Sequence, residues 1–330
     1  MMIDLIQYKK FTFLFSGTVF LVAVVALIAY GLKPGLDFTG GSLLEISFAG
    51  ERPETTAMED ALRPLNLGVM VIQPTKEKNM ILKMRFISEA EHQQILGTIR
   101  TVFGKEASAP VTIVTEGGEE LTGAAFGAKA LPDILEERIE TIGPSISSQL
   151  RSRSFVMLLA VNVAILLFVA YAFRRVSKPV ASWKYGLSTI IALIHDVVIT
   201  AGVFAFLGKY RGVEVDVPFV VALMTILGYS VNDTIVVFDR IRENLIRYRG
   251  QAFGAVVSRA VQETLARSIN TSLTILLVLV ALYIFGGLSI HYFALALIIG
   301  IGFGTYSSVF VASAILVAWE EWRQKRLATA

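Results

Sequence analysis

Asp233 is the only charge in residues 217–238, an apolar run long enough to cross a bilayer. Placing a carboxylate near the centre of a bilayer costs about 2.5–3.5 kcal/mol, so an acid there points first to proton or ion movement with a cationic partner. Thr225, Tyr229, Asn232 and Asp233 fall at i, i+4, i+7 and i+8 and share one helix face. Arg267, Asn270, Thr271 and Thr274 repeat at i, i+3, i+4 and i+7 at the start of the next apolar run. The two polar stripes are expected to face each other. Asp239 lies six residues beyond Asp233, about 9 Å of helix at roughly 1.5 Å per residue. Asp233 therefore sits toward the end where Arg267 begins, and a long guanidinium can reach it. Arginine stays protonated. A nearby Arg favours the ionised carboxylate, whereas burial favours the neutral acid. That competition suits a group that gains and loses a proton as its surroundings change. A static buried pair that fixes helix register uses the same two residues.

A second acid, Asp196, follows His195 in the middle of residues 185–208, with Thr189 seven positions before it and Thr200 four after. It reads either as a second proton site or as a structural acid bonded to backbone and hydroxyls. The chain has 3 His and 0 Cys. That excludes thiolate chemistry and a disulfide framework. No His pair has the HExxH spacing of a metal centre, so no metal site is expected. An intramembrane aspartyl protease would need Asp196 and Asp233 to share a proton. The residues leading to Asp233 are Ser230-Val231-Asn232, which departs from the GxGD signature of such enzymes.

The elements that carry these residues are apolar helices. The 330 residues are 54% hydrophobic, with a mean hydropathy of +0.63, and only 17% are charged, against about 25% in soluble domains. The net charge of +3 gives no reason to expect a nucleic-acid partner. Six runs approach the roughly 20 residues of a spanning helix: 11–32, 155–173, 185–208, 217–238, 268–288 and 292–319. Lys and Arg gather at one set of ends: Lys9 and Lys10, then Arg174, Arg175, Lys178 and Lys184, then six Arg from Arg240 to Arg267, then Arg323, Lys325 and Arg326. The positive-inside bias puts those ends, and both termini, in the cytoplasm. The segment between the first two spans falls on the other side. The first span is longer than a signal-peptide core and has no small-x-small cleavage site after it, so it reads as an uncleaved anchor.

The domain organisation follows: 1–32, 33–153 outside, 154–319 with a cytoplasmic stretch 239–267, and a tail 320–330. In the outside segment, 42–48, 69–73, 80–86 and 111–114 read as strands and 55–65 and 88–103 as helices. Ser88 and Glu91 form a capping box for the second helix. The order βαββαβ predicts a small α+β, ferredoxin-like domain. Residues 116–129 read as a loop, and 133–142 as a helix broken by Gly143-Pro144. Lys33-Pro34-Gly35 and Gly143-Pro144 fit hinges and rigid turns equally. Phe253, Val256, Val257, Ala260, Val261, Thr264 and Leu265 form an apolar helix face. It lies on the membrane, on a partner, or over its own bundle. In the last span, Ala296, Gly300, Gly304, Ser308 and Ala312 recur every four residues, a ladder that admits a neighbouring helix closely, within the bundle or between subunits.

Four spaced motifs carry a family resemblance. Gly35-Leu36-Asp37-Phe38-Thr39-Gly40-Gly41 resembles the GxDFxGG motif of the SecD and SecF protein-export subunits. Residues 228–234, followed by Val237-Phe238-Asp239-Arg240-Ile241-Arg242-Glu243, resemble the SecF signature. His195-Asp196-Val197 and residues 267–272 resemble SecF motifs as well, and so does the Gly-rich sixth span. The resemblance covers nearly the whole chain. It implies a polytopic membrane protein of six transmembrane helices with a periplasmic α+β domain between helices 1 and 2, in the bacterial inner membrane. It implies a SecD-like subunit as partner in a heterodimer, the SecYEG channel, unfolded client proteins and surrounding lipid. It implies no enzyme activity and no cofactor beyond protons as coupling ion, with the proton gradient helping late translocation. It matches Asp233 and Arg267 to the family's proton pathway. A proton-coupled transporter of small substrates, related to efflux pumps, shares the buried charges and differs in the motifs.

Overall fold

The computed structural model describes residues 9–75, 77–104, 112–114, 120–122, 134–172 and 180–329. The chain divides into two compact units, Met1–Gly35 with Leu150–Ala330, and Leu36–Gln149. In chain order the elements are α1 (Lys9–Tyr30), α2 (Leu36–Thr39), β1 (Gly41–Phe48), α3 (Thr55–Leu62), β2 (Val71–Thr75), β3 (Asn79–Met84) and α4 (Glu89–Phe103). Then come β4 (Thr112–Val114), β5 (Glu120–Thr122), β6 (Ile134–Ile142), α5 (Pro144–Ala172), α6 (Ser182–Arg211), α7 (Val217–Arg247) and α8 (Phe253–Phe285). The chain closes with α9 (Leu288–Tyr306), a π-helical segment Ser307–Val311 and α10 (Ala312–Thr329). Six helices among the described residues are long and apolar enough to cross a membrane, the sixth running through α9, the π segment and α10.

The smaller unit is an antiparallel sheet of order β2-β3-β1-β6. Alternation puts Leu44, Ile46 and Phe48 of β1 and Met80, Leu82 and Met84 of β3 in one core, where Met58 and Leu62 of α3 and Ile95 and Ile99 of α4 cover them. The capping box is present: Ser88 accepts from the Glu91 amide, and Glu91 accepts from the Ser88 amide. The strand order is that of a ferredoxin-like domain, but its fourth strand is not the one expected. Residues 112–114 pair instead with 120–122, inside the stretch read as a loop. The remainder of 116–129 lies outside the described residues. The sheet is completed by β6, where the sequence reading placed a helix. Leu, Glu and Arg favour helix there by propensity, and pairing with β1 across the chain overrides it. Both faces of β6 mix charged and apolar side chains, as befits an edge strand, so no period of two is visible.

In the helical unit, α7 starts where Asp216 accepts a 3.0 Å bond from the Phe219 amide, and Gly212 at φ 68° ends α6 in a left-handed turn. Two apolar clusters hold the bundle. One joins Tyr185, Val237, Phe238, Val257, Ala260 and Leu316, and the other joins Phe204, Phe219, Ile226, Ala296 and Leu297. The apolar face at 253–265 is the first half of the continuous helix α8 and caps its own bundle, against Phe238, Ile241 and Val317. Close approaches occur at glycines. A Cβ on Gly202 would lie 2.5 Å from the Ala23 Cβ and 2.8 Å from the Ala23 carbonyl oxygen, so α1 and α6 touch there. A Cβ on Gly300 would overlap Ile226, so the small-residue ladder of α9 faces α7 of the same chain. At Lys33-Pro34-Gly35 the backbone is tied to the loop after α6. The Gly35 amide donates to the Val215 carbonyl at 2.7 Å, and the Val215 amide donates to Lys33 at 2.8 Å.

Candidate functional site

α7 and α8 run side by side, and α7 presents Asp233 to α8. Asp233 is 8% exposed. Its Oδ1 accepts a 2.5 Å hydrogen bond from the Ser268 hydroxyl, and its Oδ2 is buried with no hydrogen-bond partner among the described residues. One turn further along α8, Ser272 donates to the Ser268 carbonyl at 2.8 Å. The Ser272 hydroxyl also meets the Tyr229 hydroxyl at 2.7 Å and Thr305 of α9 at 2.5 Å. A hydroxyl seam thus runs from the acid across three helices.

Of the polar stripes read from the sequence, the structure brings Asp233 and Tyr229 to this seam. Thr225 and Asn232 are exposed, as are Asn270, Thr271 and Thr274. Thr225, Thr271 and Thr274 bond carbonyls of their own helices. The inward face of α8 is Ser268 and Ser272, one residue round from the expected stripe. Residues 267–272 are polar except Ile269, so periodicity alone could not choose between the two faces. The apolar pair Ile269 and Leu273, both exposed, is the signal that points lipidward and turns Ser268 and Ser272 inward.

Arg267 is exposed and makes no ion pair with Asp233 among the described residues. It lines a cavity of about 440 Å³ at the far end of α7, together with Asp239, Arg240, Arg242, Glu243 and Glu263. Within that cavity, Arg240 pairs with Glu243 and Glu263, and Arg242 with Asp239. The direct partner of Asp233 is therefore a serine, where the sequence reading expected an arginine.

Asp196 has a separate network and is fully buried. Its Oδ1 meets His195 Nδ1 at 3.0 Å, and its Oδ2 accepts from Ser230 and Ser307, each at 2.8 Å. Thr200 donates to the Asp196 backbone carbonyl and Thr189 to that of Tyr185, so neither serves the carboxylate. Ser308 donates to the Ser230 carbonyl at 3.0 Å and accepts from Thr234 at 2.9 Å. Gly304 lies where a Cβ would sit 3.5 Å from the Asp196 carboxylate, and Ala296 is buried further along α9. The acids Asp196 and Asp233 share no hydrogen-bond partner among the described residues. Ser230, Thr234, Ser268, Ser272, Thr305 and Ser307 are the site residues that sequence reasoning missed. Hydroxyls are common in membrane helices, so single Ser and Thr carry little signal without a fold.

Comparison with known proteins gives a consistent likeness. The family model for protein export membrane protein SecD/SecF, C-terminal, matches residues 124–322, and that for the SecD/SecF GG motif matches residues 25–50. The chain is 38% identical over 331 residues to the protein translocase subunit SecF of Thermobaculum terrenum, covering 97% of this chain and 94% of that one. It is 33% identical to the SecF of Synechocystis sp., covering 99% and 97%. The crystal structure of SecDF, a translocon-associated membrane protein from Thermus thermophilus, superposes with a TM-score of 0.75 at 29% identity. It covers 97% of this chain, which spans only 39% of that one. A second SecDF structure, in a super-membrane-facing form, gives a TM-score of 0.66 at 28% identity.

Proposed function

This chain belongs to the SecD/SecF family, as a SecF member, and from that premise we propose that it is an accessory subunit of bacterial protein export. It works with a SecD-type subunit and the SecYEG channel, and draws on the proton gradient to promote late translocation of unfolded proteins. It sits in the inner membrane with both termini in the cytoplasm and the domain between α1 and α5 in the periplasm. The proton enters at Asp233, and Arg267 is the nearby cation that biases it.

One observation carries this reading. Asp233 is buried with a single donor, Ser268, and an unsatisfied Oδ2 among the described residues. A buried polar atom left without a partner costs about 1–3 kcal/mol, and a proton on that oxygen removes the charge that makes the cost high. The exposed residues Asn232, Asn270, Thr271 and Thr274 support a partner subunit. Polar groups facing lipid are expensive, and a neighbouring helix from a second chain would cover them.

The test is translocation of an unfolded precursor into inverted membrane vesicles, with and without an ionophore. Vesicles that carry the chain with its SecD-type partner should show stimulation that the ionophore removes. Stimulation that survives collapse of the gradient contradicts proton coupling. Affinity purification of the tagged chain should bring a SecD-like subunit with it, and its absence contradicts the heterodimer.

A further inference from the structure

Ser16 of α1, His195 and Asp196 form a continuous hydrogen-bonded chain inside the bundle. Ser16 Oγ lies 2.7 Å from His195 Nε2, and His195 Nδ1 lies 3.0 Å from Asp196 Oδ1. The three residues are 5%, 6% and 0% exposed. The order resembles a nucleophile, a base and an orienting acid, but the burial of Ser16 leaves no room for an acyl substrate. The chain has a different use. It is a buried polar link between α1 and the rest of the bundle, and α1 is the helix that leads into the domain beginning at Leu36.

We propose that His195 and Asp196 together form a second proton-holding site, and that its occupancy sets the strength of the bond holding α1 to α6. This deepens the reading of the chain as a proton-coupled subunit and rests on it.

The chemistry is fixed by the two ring nitrogens. With the site empty, Nδ1–H donates to the Asp196 carboxylate, and Nε2 accepts the Ser16 O–H. With one proton added at Nε2, the ring donates at both nitrogens, and Ser16 becomes the acceptor. Its own O–H must then turn to another acceptor, such as a carbonyl one turn back on α1, a bond that serine makes readily in helices. The link between helices thus reverses direction and becomes charge-assisted, roughly twice as strong as a neutral bond. The added proton also makes the pair neutral overall, which matters where a net charge is costly.

Hydroxyls and an aromatic ring face the pair. From α7 and the π segment, the groups facing Asp196 are the hydroxyls of Ser230 and Ser307. From α1, Ser16 and the ring of Phe20, stacked at 6.0 Å, face His195. Tyr306 of α9 reaches only the Thr12 carbonyl, at 3.4 Å. Among the described residues, His195 is the only group within ion-pair distance of Asp196 that can carry a positive charge, and it does so only when protonated. Asp233 is occupied with Ser268 in its own network.

π-Helical segments in otherwise regular helices often mark functional positions. Here Ser307 and Ser308 of the π segment bond Asp196 and the Ser230 carbonyl. Thr305, in the turn before it, belongs to the Asp233 seam. The two acids therefore act on neighbouring turns of one helix without touching each other.

The experiment uses the full-length chain in its membrane complex, with [15N]histidine. The chain has 3 His, and His195→Gln identifies the resonance of interest. Because the chain has 0 Cys, Leu14→Cys and Ile194→Cys also give specific spin labels on the exposed faces of α1 and α6. Across a pH series, His195 Nε2 should pass from acceptor to donor, and the dipolar spectrum of the two labels should change at the same midpoint. Ser16→Ala and Asp196→Asn should each abolish the change between the labels, whereas Asp233→Asn should leave it. Ser16→Ala removes only one hydroxyl and keeps the test valid if Asp196→Asn fails to fold. A His195 that keeps one form across the series overturns the proposal, as does a label change that persists in Ser16→Ala. Retention of export stimulation in Asp233→Asn would overturn the Asp233 reading alone.

Discussion

Ser268 donates a 2.5 Å hydrogen bond to Asp233, from the turn of α8 that directly faces the acid. The relationship sets the account of this bundle apart from a plain ion pair. A serine hydroxyl can serve the carboxylate or its protonated form, donating to one and accepting from the other. A fixed arginine can only donate.

Ser268→Ala should therefore cost more than a lost hydroxyl on a helix surface. A hydrogen bond to a charged group contributes about 1.5–3 kcal/mol, and its loss leaves both oxygens of Asp233 without a donor. We expect a lower thermal midpoint of the purified complex and reduced export stimulation. Ser268→Thr, which keeps the hydroxyl, should restore most of both. Equal loss in the two variants would mean that shape, not the hydrogen bond, matters at this position.

Arg267 tests a longer-range effect. It lines the cavity beyond Asp233 and is exposed. If its role were charge alone, Arg267→Lys would be silent. A compact ammonium lacks the planar fork of a guanidinium, so we expect Arg267→Lys to impair gradient-driven export severalfold and Arg267→Met to abolish it. Normal export in Arg267→Met would remove this residue from the proton pathway.

Two glycines in adjacent helices make a matched pair. A Cβ at Gly202 would strike the backbone of Ala23, whereas one at Gly228 would meet nothing within 4 Å. Gly202→Ala should force α1 from α6, at about 1–3 kcal/mol, the usual cost of overpacking. Gly228→Ala should be neutral or stabilising by up to about 1 kcal/mol, from helix propensity. Detergent-solubilised melting curves check both, and a reversal of the order would contradict the packing of α1 on α6.

The domain between the first two spans offers a pH test outside the membrane. The Arg85 guanidinium, 2.5 Å from Glu91, and the Ser88 amide and hydroxyl hold the Glu91 carboxyl well below its ordinary 4.5, at about 2. A carboxyl depressed on folding stabilises fully above its unfolded value, and that contribution is lost as pH falls through the folded one. The protection factor at the first turn of α4, measured against the intrinsic exchange rate at each pH, should therefore fall as pH drops from about 4.5 toward about 2. Glu91→Gln should show lower protection at neutral pH and a weaker pH dependence, the remainder belonging to Glu89, which hydrogen bonds with Gln93 and His92 hold below its ordinary value. Unchanged protection in Glu91→Gln would show that the capping box does not hold this turn.

Much of this was legible in the sequence because membrane helices announce themselves by length and hydropathy. All six spans fall where the apolar runs lie. The capping box at Ser88 and Glu91 was equally plain, since its chemistry is local. What failed was what depends on distant partners. β6 reads as a helix until β1 pairs with it. The inward face of α8 could not be chosen until α7 fixed the rotation, which exchanged the expected Asn270, Thr271 and Thr274 for Ser268 and Ser272. The charge of Arg267 points to an electrostatic partner for Asp233, but the hydrogen-bond donor to the acid, Ser268, is an uncharged hydroxyl with no charge pattern to announce it.

Translocation by vesicles carrying Asp233→Asn tests the central claim most directly. Asparagine keeps the shape of the side chain and can still accept from Ser268, but it cannot take up a proton. The variant complex should insert and assemble at wild-type levels, with export stimulation by the proton gradient reduced to the level of vesicles that lack the chain. Gradient-dependent stimulation equal to wild type in Asp233→Asn vesicles would contradict it.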